Sequence, residues 1–188
     1  MTISRLESAK ILVVEGDQRM RSFMRAVLSV STDGNMEYAE ASNGEEALKV
    51  LNAFKPDMII SAMGMNPVSG LDLLQTLRQG FEDISPFIPF LLISETGDAI
   101  SKVKARDAGV TAFLEKPVSV TDLHQGISDA ILNTRPFIRS RDYFGPNRRS
   151  RENHYSGDDR RNLLPVFVSP PIPLSEEEAG HRPAARAS

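Results

Sequence analysis

A chain of 188 residues, 40% apolar and 25% charged, has the composition of an ordinary globular protein of one domain with extensions, or at most two small domains. It holds no cysteine, which excludes a disulfide framework and thiolate metal sites, and no apolar run approaches the roughly 20 residues that cross a bilayer, so a cytoplasmic location is expected. The formal charge of −3 is unevenly spread: residues 1–134 carry −6, residues 135–161 hold eight arginines against four acids, and the remainder carries −1.

Ile11-Leu12-Val13-Val14 is a short apolar run of the kind buried on both faces of a strand. Met20, Phe23, Met24, Val27 and Leu28 recur at helical spacing and predict a helix over about 18–30. Asp33-Gly34-Asn35 is a turn, and Met36–Ala41 reads as a second strand. Asn43 with Glu46 marks a helix start whose apolar stripe is Ala47, Leu48, Leu51 and Phe54, and Lys55-Pro56 ends it, because the residue before proline disfavours the helical region. Met58–Ala62 is a third strand that stops at a loop of Met, Gly, Asn and Pro. Gly70–Gln79 is a third helix with Leu71, Leu74 and Leu77 inward.

Phe90–Ser94 is the fourth strand, and Thr96-Gly97-Asp98 begins a fourth helix that ends near Gly109. Thr111–Glu115 is a short fifth strand. Ser119 and Asp122 match a capping box, with Val120, Leu123, Ile127 and Ile131 inward on a fifth helix. Five alternating strand-helix units predict an α/β fold, a five-stranded parallel sheet with five helices on both faces. An irregular C-terminal extension follows. Within residues 134–161 the heptapeptides "YFGPNRR" and "YSGDDRR" place Tyr143/Tyr155, Arg148/Arg160 and Arg149/Arg161 twelve apart. Residues 162–188 are Pro-rich and read as largely disordered.

Over roughly residues 9–133, four stretches resemble the receiver domain (flavodoxin-like, CheY-like) of two-component response regulators. They are "ILVVEGDQRMR", "PDMIISAMGMNPVSGLDLLQTLR", "FLLIS" and "GVTAFLEKP". The resemblance implies an acid at the tip of the third strand that accepts a phosphoryl group from a histidine kinase. It also implies two acids after the first strand that hold Mg²⁺, a Ser or Thr ending the fourth strand, a Lys ending the fifth, and an aromatic switch on the fifth. Here those positions are Ala62, then Glu15 and Gly16, then Ser94, Lys116 and Phe113. The resemblance further implies a cis bond before Pro117.

Three carboxylates beside one lysine carry a net charge of about −2, which Mg²⁺ neutralises. One carboxylate, Glu15, facing Lys116 is neutral without a metal, and Glu15 is one methylene longer than aspartate. The expected pocket is therefore a degenerate one that binds Mg²⁺ weakly or not at all, has no cofactor and forms no aspartyl-phosphate. Asp57, Asp17 and Ser61 are poorly placed to substitute, and His124, His154 and His181 have no metal-ligand spacing. No enzyme activity is expected, since no nucleophile-base pair is present.

The Arg-rich arm has three open readings. It can bind nucleic acid or another anionic surface, although Asp158-Asp159 would repel phosphates; it can dock an acidic protein through Tyr143, Arg148, Arg149, Tyr155, Arg160 and Arg161; or it can fold back on the acidic body. The expected function is a signalling adaptor, a pseudo-receiver acting by phosphorylation-independent contact with a signalling protein such as a histidine kinase or another response regulator. A homodimer through the fourth-helix, fifth-strand and fifth-helix face is a further possibility. The alternatives are a regulator phosphorylated by an unconventional route and a nucleic-acid-associated regulator.

Overall fold

The computed structural model describes residues 9–31, 36–132, 135–147 and 166–168. Strands β1 (Lys10–Val14), β2 (Glu37–Ala41), β3 (Met58–Ala62), β4 (Phe90–Ser94) and β5 (Ala112–Glu115) form one parallel sheet in the order β2-β1-β3-β4-β5. Helices α1 (Gln18–Ser31), α2 (Gly44–Phe54), α3 (Gly70–Gln79), α4 (Ala99–Asp107) and α5 (Val120–Leu132) alternate with them. This is the five-stranded receiver-type α/β fold expected from the sequence.

The sheet is buried on both faces because β1, β3 and β4 present apolar side chains to each side in turn. Leu12, Ile59 and Leu92 belong to one core cluster, with Leu51 of α2 and Leu74 of α3. Ile11, Val13, Ile60 and Ile93 belong to the other, with Met24 of α1 and Leu123 of α5. No helix among the described residues is long and apolar enough to cross a membrane.

The local start and stop signals are physically satisfied. Asn43 accepts the Glu46 N–H at 2.9 Å, and Lys55 turns into the left-handed region (φ 48°) to end α2. Ser119 and Asp122 exchange side chain–backbone bonds at 3.1 Å each way. Gly109, just past α4, has φ +87°, a conformation that glycine adopts without strain.

Two helix faces differ from the periodicity reading. On α3 the buried leucines are Leu73, Leu74 and Leu77, with Leu71 half-buried, and Arg78 is buried beside them. The helix phase is set by Gly70, where a Cβ would overlap the carbonyl oxygen of Ala62, so the first turn rests directly on the end of β3. On α5, Val120 is exposed, while Leu123, Ile127 and Ala130 are buried.

The extension, read from the sequence without regular elements, carries three short strands. These are β6 (Phe137–Ser140), β7 (Tyr143–Pro146) and β8 (Val166–Val168), arranged β7-β6-β8 and antiparallel. Phe137 and Phe144 close on Phe87 of the α3–β4 loop, with ring centroids 4.9 Å and 5.1 Å from it. At this part of the chain the extension folds back onto the receiver body, held by an aromatic cluster. Four-residue signals such as "FIRS" and "YFGP" are too short to be recognised as strands alone.

Candidate functional site

The carboxyl ends of β1, β3, β4 and β5 converge because the strands are parallel and adjacent, and a sheet of this order opens its crevice between β1 and β3. Glu15 follows β1 and is only 5% exposed. Its backbone N–H continues the ladder to Ala41 O at 3.0 Å, which fixes where the side chain leaves the sheet. Its Oε1 accepts the Asp17 N–H at 3.0 Å, and its Oε2 accepts from Lys116 Nζ at 2.9 Å.

Lys116 leaves β5 with its own N–H on Ser94 O at 2.8 Å. Its ammonium is shared, since Nζ also donates to Glu95 Oε1 at 2.7 Å. Burial works against the charged ammonium, but its hydrogen bonds to Glu95 and Glu15 outweigh that and hold the lysine pKa above its ordinary value. The Lys116–Pro117 bond is cis, as is Asn66–Pro67.

Ser94 is buried at the end of β4, and its Oγ accepts the Thr96 N–H at 3.3 Å. Ala62 is buried at the end of β3 and brings no polar side-chain atom. Gly16 is exposed, and a Cβ there would meet only Ser42 O at 3.6 Å, an ordinary contact, so a side chain fits at that position. Glu15, Gly16, Ala62, Ser94 and Lys116 thus lie on one edge of the sheet. Asp57 lies at the opposite edge, where its Oδ2 accepts the Lys10 N–H at 2.8 Å.

Mg²⁺ takes several oxygen ligands, usually carboxylates and waters. Here one oxygen of Glu15 is engaged by Lys116 and the other by a backbone amide, while positions 16 and 62 bring no side-chain oxygen. The residues present do not fit the ion. Among the described residues no cluster of three or more His, Cys, Asp or Glu is placed to hold a metal.

Phe113 is half-buried and packs against the cluster of Leu92 and Ala105. Tyr143 is half-buried in β7 and donates its hydroxyl to Pro146 O at 2.7 Å. Arg148, Arg149, Tyr155, Arg160 and Arg161 lie outside the described residues.

Two arginines that periodicity did not single out organise the two ends of the sheet. Arg21 donates from one Nη1 to Glu15 O at 2.6 Å and Gly16 O at 3.1 Å, and its Nε pairs with Glu40 at 3.3 Å. It therefore ties the loop after β1 to β2. Arg78, at the other end, reaches Gly109 O, Pro86 O and Ile88 O. An arginine four residues after the inward Leu74 was the only sequence signal for it.

Residues 11–128 match the response regulator receiver domain, so the chain belongs to that family of two-component systems. It is 30% identical over 128 residues to the transcriptional regulatory protein GlrR of Escherichia coli, covering 68% of this chain and 27% of that protein. It is 30% identical over 121 residues to the KDP operon transcriptional regulatory protein KdpE of the same organism, covering 64% and 50%. The chain thus spans between about a quarter and a half of these relatives' length. In structure it is similar to a putative response regulator from Chloroflexus aurantiacus (TM-score 0.60, 24% identity, 66% of this chain and 98% of that one). It is also similar to the Vibrio cholerae chemotaxis protein CheY4 (TM-score 0.59, 24% identity, 65% and 98%). At that identity these two likenesses speak for the fold alone.

Proposed function

We propose that this receiver is a pseudo-receiver: a signalling adaptor that acts by protein–protein contact and accepts no phosphoryl group. The observation that carries the reading is the ammonium of Lys116 held between Glu15 and Glu95, at 2.9 Å and 2.7 Å, beside an alanine at position 62 and a glycine at position 16. The lysine's charge is already neutralised by side chains of this chain. The pocket offers no acceptor at the tip of β3 and no acid at position 16 to draw in a metal, and Phe113 has no phosphorylation event to follow.

The partner is a signalling protein, with a histidine kinase or another response regulator the leading candidates. Ile100 and Val103, three apart on α4 and 68% and 43% exposed, support contact through the face that α4, β5 and α5 present. The arginines of the repeat, Arg148, Arg149, Arg160 and Arg161, are assigned to docking an acidic partner, with receiver, arm and tail divided at about residues 133 and 161. Because Phe137 and Phe144 pack on Phe87, partner mapping is best done by replacing those four arginines in the full chain, not by cutting at residue 134.

The test is incubation of the full chain with acetyl phosphate and Mg²⁺ followed by intact mass. An unchanged mass is expected. A gain of one phosphate overturns the reading in favour of an unconventional acceptor.

A further inference from the structure

The end of the sheet opposite Glu15 and Lys116 holds a second polar site. The last turn of α3, the end of α4 and the β6–β7 hairpin enclose a cleft of about 550 Å³, within the size range of small-molecule sites. Three guanidinium side chains line it: Arg78 from α3, and Arg139 and Arg141 from the hairpin. Gln75, Gln79 and Ser140 add neutral donors to the same wall.

Arg78 is the unusual member. It is only 5% exposed, and burial pushes its pKa down to about 9, which still leaves it charged at neutral pH. Its acceptors are Gly109 O at 3.0 Å, Pro86 O at 2.7 Å, Ile88 O at 3.0 Å and Thr111 Oγ1 at 3.4 Å. All four are neutral, so the hydrogen bonds are met, and among the described residues no carboxylate forms an ion pair with the guanidinium. A buried cation without a counter-ion is costly, and an anion in the adjoining cleft offsets that cost.

The wall carries two acids, Asp107 and Asp142. Asp107 pairs with Arg106 at 3.2 Å, and the lining as a whole, three guanidinium groups against two carboxylates, carries a net charge of +1. Arg139 lies over the Phe144 ring at 4.7 Å, so its planar head has a defined support. The Phe87–Phe137–Phe144 cluster in turn anchors the hairpin to the body.

A lining with a net positive charge and three arginines suits an anion, and guanidinium forks bind phosphate oxygens in pairs. A phosphate monoester carries about −1.5 to −2 at neutral pH. The cleft is several times larger than inorganic phosphate needs, and its neutral donors suit a polar organic body. We infer that this cleft binds the phosphate monoester of a small organic molecule, at a site separate from the Glu15–Lys116 pocket.

The experiment is calorimetric titration of the full chain with phenyl phosphate at constant ionic strength, with inorganic phosphate as comparator. Saturable one-to-one binding is expected, tighter for phenyl phosphate. Arg141→Gln, an exposed position whose replacement leaves the fold intact, is expected to weaken it about tenfold, the loss of one charge-assisted contact. Replacing Arg148, Arg149, Arg160 and Arg161 by Gln is expected to leave it unchanged. The proposal is overturned if phenyl phosphate shows no saturable binding, if it binds no more tightly than inorganic phosphate, if Arg141→Gln binds as well as the parent, or if the four-arginine variant is the one that loses binding.

Discussion

Lys116 Nζ donates to Glu15 Oε2 at 2.9 Å across 101 residues of chain, joining the end of β5 to the end of β1 over the intervening strands β3 and β4. Glu15 is buried, so the pair satisfies a carboxylate that would otherwise lack a counter-ion. This one contact closes the crevice on which the functional reading depends.

Replacing Lys116 by Gln should cost about 1–2 kcal/mol at neutral pH, since it strips a charged partner from a buried carboxylate. The folded-state pKa of Lys116 is raised, so this stabilisation is fully present below the unfolded lysine value of about 10.4 and is lost as pH rises through the higher folded value. Urea midpoints of parent and variant should therefore differ by a constant amount from pH 7 to 9 and converge in strong alkali. A gap that persists undiminished there assigns the effect to packing.

Ala62→Asp alone should not restore phosphorylation. The new carboxylate meets a lysine already shared by Glu15 and Glu95, with no acid at position 16. Ala62→Asp with Gly16→Asp should gain Mg²⁺-dependent mass from acetyl phosphate, because the Cβ at 16 has room. Ready phosphorylation of the single variant shows that the two positions are not a paired loss.

Gly70→Ala should destabilise by about 3 kcal/mol, as its methyl overlaps the Ala62 carbonyl and the backbone of α3 or β3 must move. Scanning calorimetry measures this directly. A thermal midpoint within a degree of the parent is incompatible with the close approach.

Arg78→Met should cost about 3 kcal/mol, because carbonyls of Pro86, Ile88 and Gly109 lose a charged donor in a buried setting. Amide exchange in residues 137–146 should speed up with it, since Arg78 also lies 5.4 Å from the Phe137 ring centroid. Unchanged exchange in the hairpin means that the aromatic cluster holds it without the arginine.

Much of the fold was legible in local signals. The apolar runs of β1, β3 and β4 mark strands buried on both faces, and the pairs Asn43/Glu46 and Ser119/Asp122 mark helix starts through bonds formed within one turn. The α3 face was read correctly at Leu74 and Leu77 but missed Leu73, because Gly70 on the Ala62 carbonyl, a tertiary contact, seats the first turn close to β3. The β6–β8 pairing was invisible because it joins Phe137 to Val168, a separation that no local pattern encodes.

The order of the elements and the kinds of residue at the strand ends, Glu15 and Gly16, Ala62, Ser94 and Lys116, can be read from the chain alone. Those follow from hydrophobic period, capping and composition, which are properties of neighbouring residues. Tertiary packing settled that Lys116 is shared by Glu15 and Glu95, that Arg78 lies inside on neutral acceptors among the described residues, and that part of the arginine-rich extension packs on the body. Each depends on strand order and on where loops return. Groups up to 101 residues apart acquire partners only when the sheet places them together.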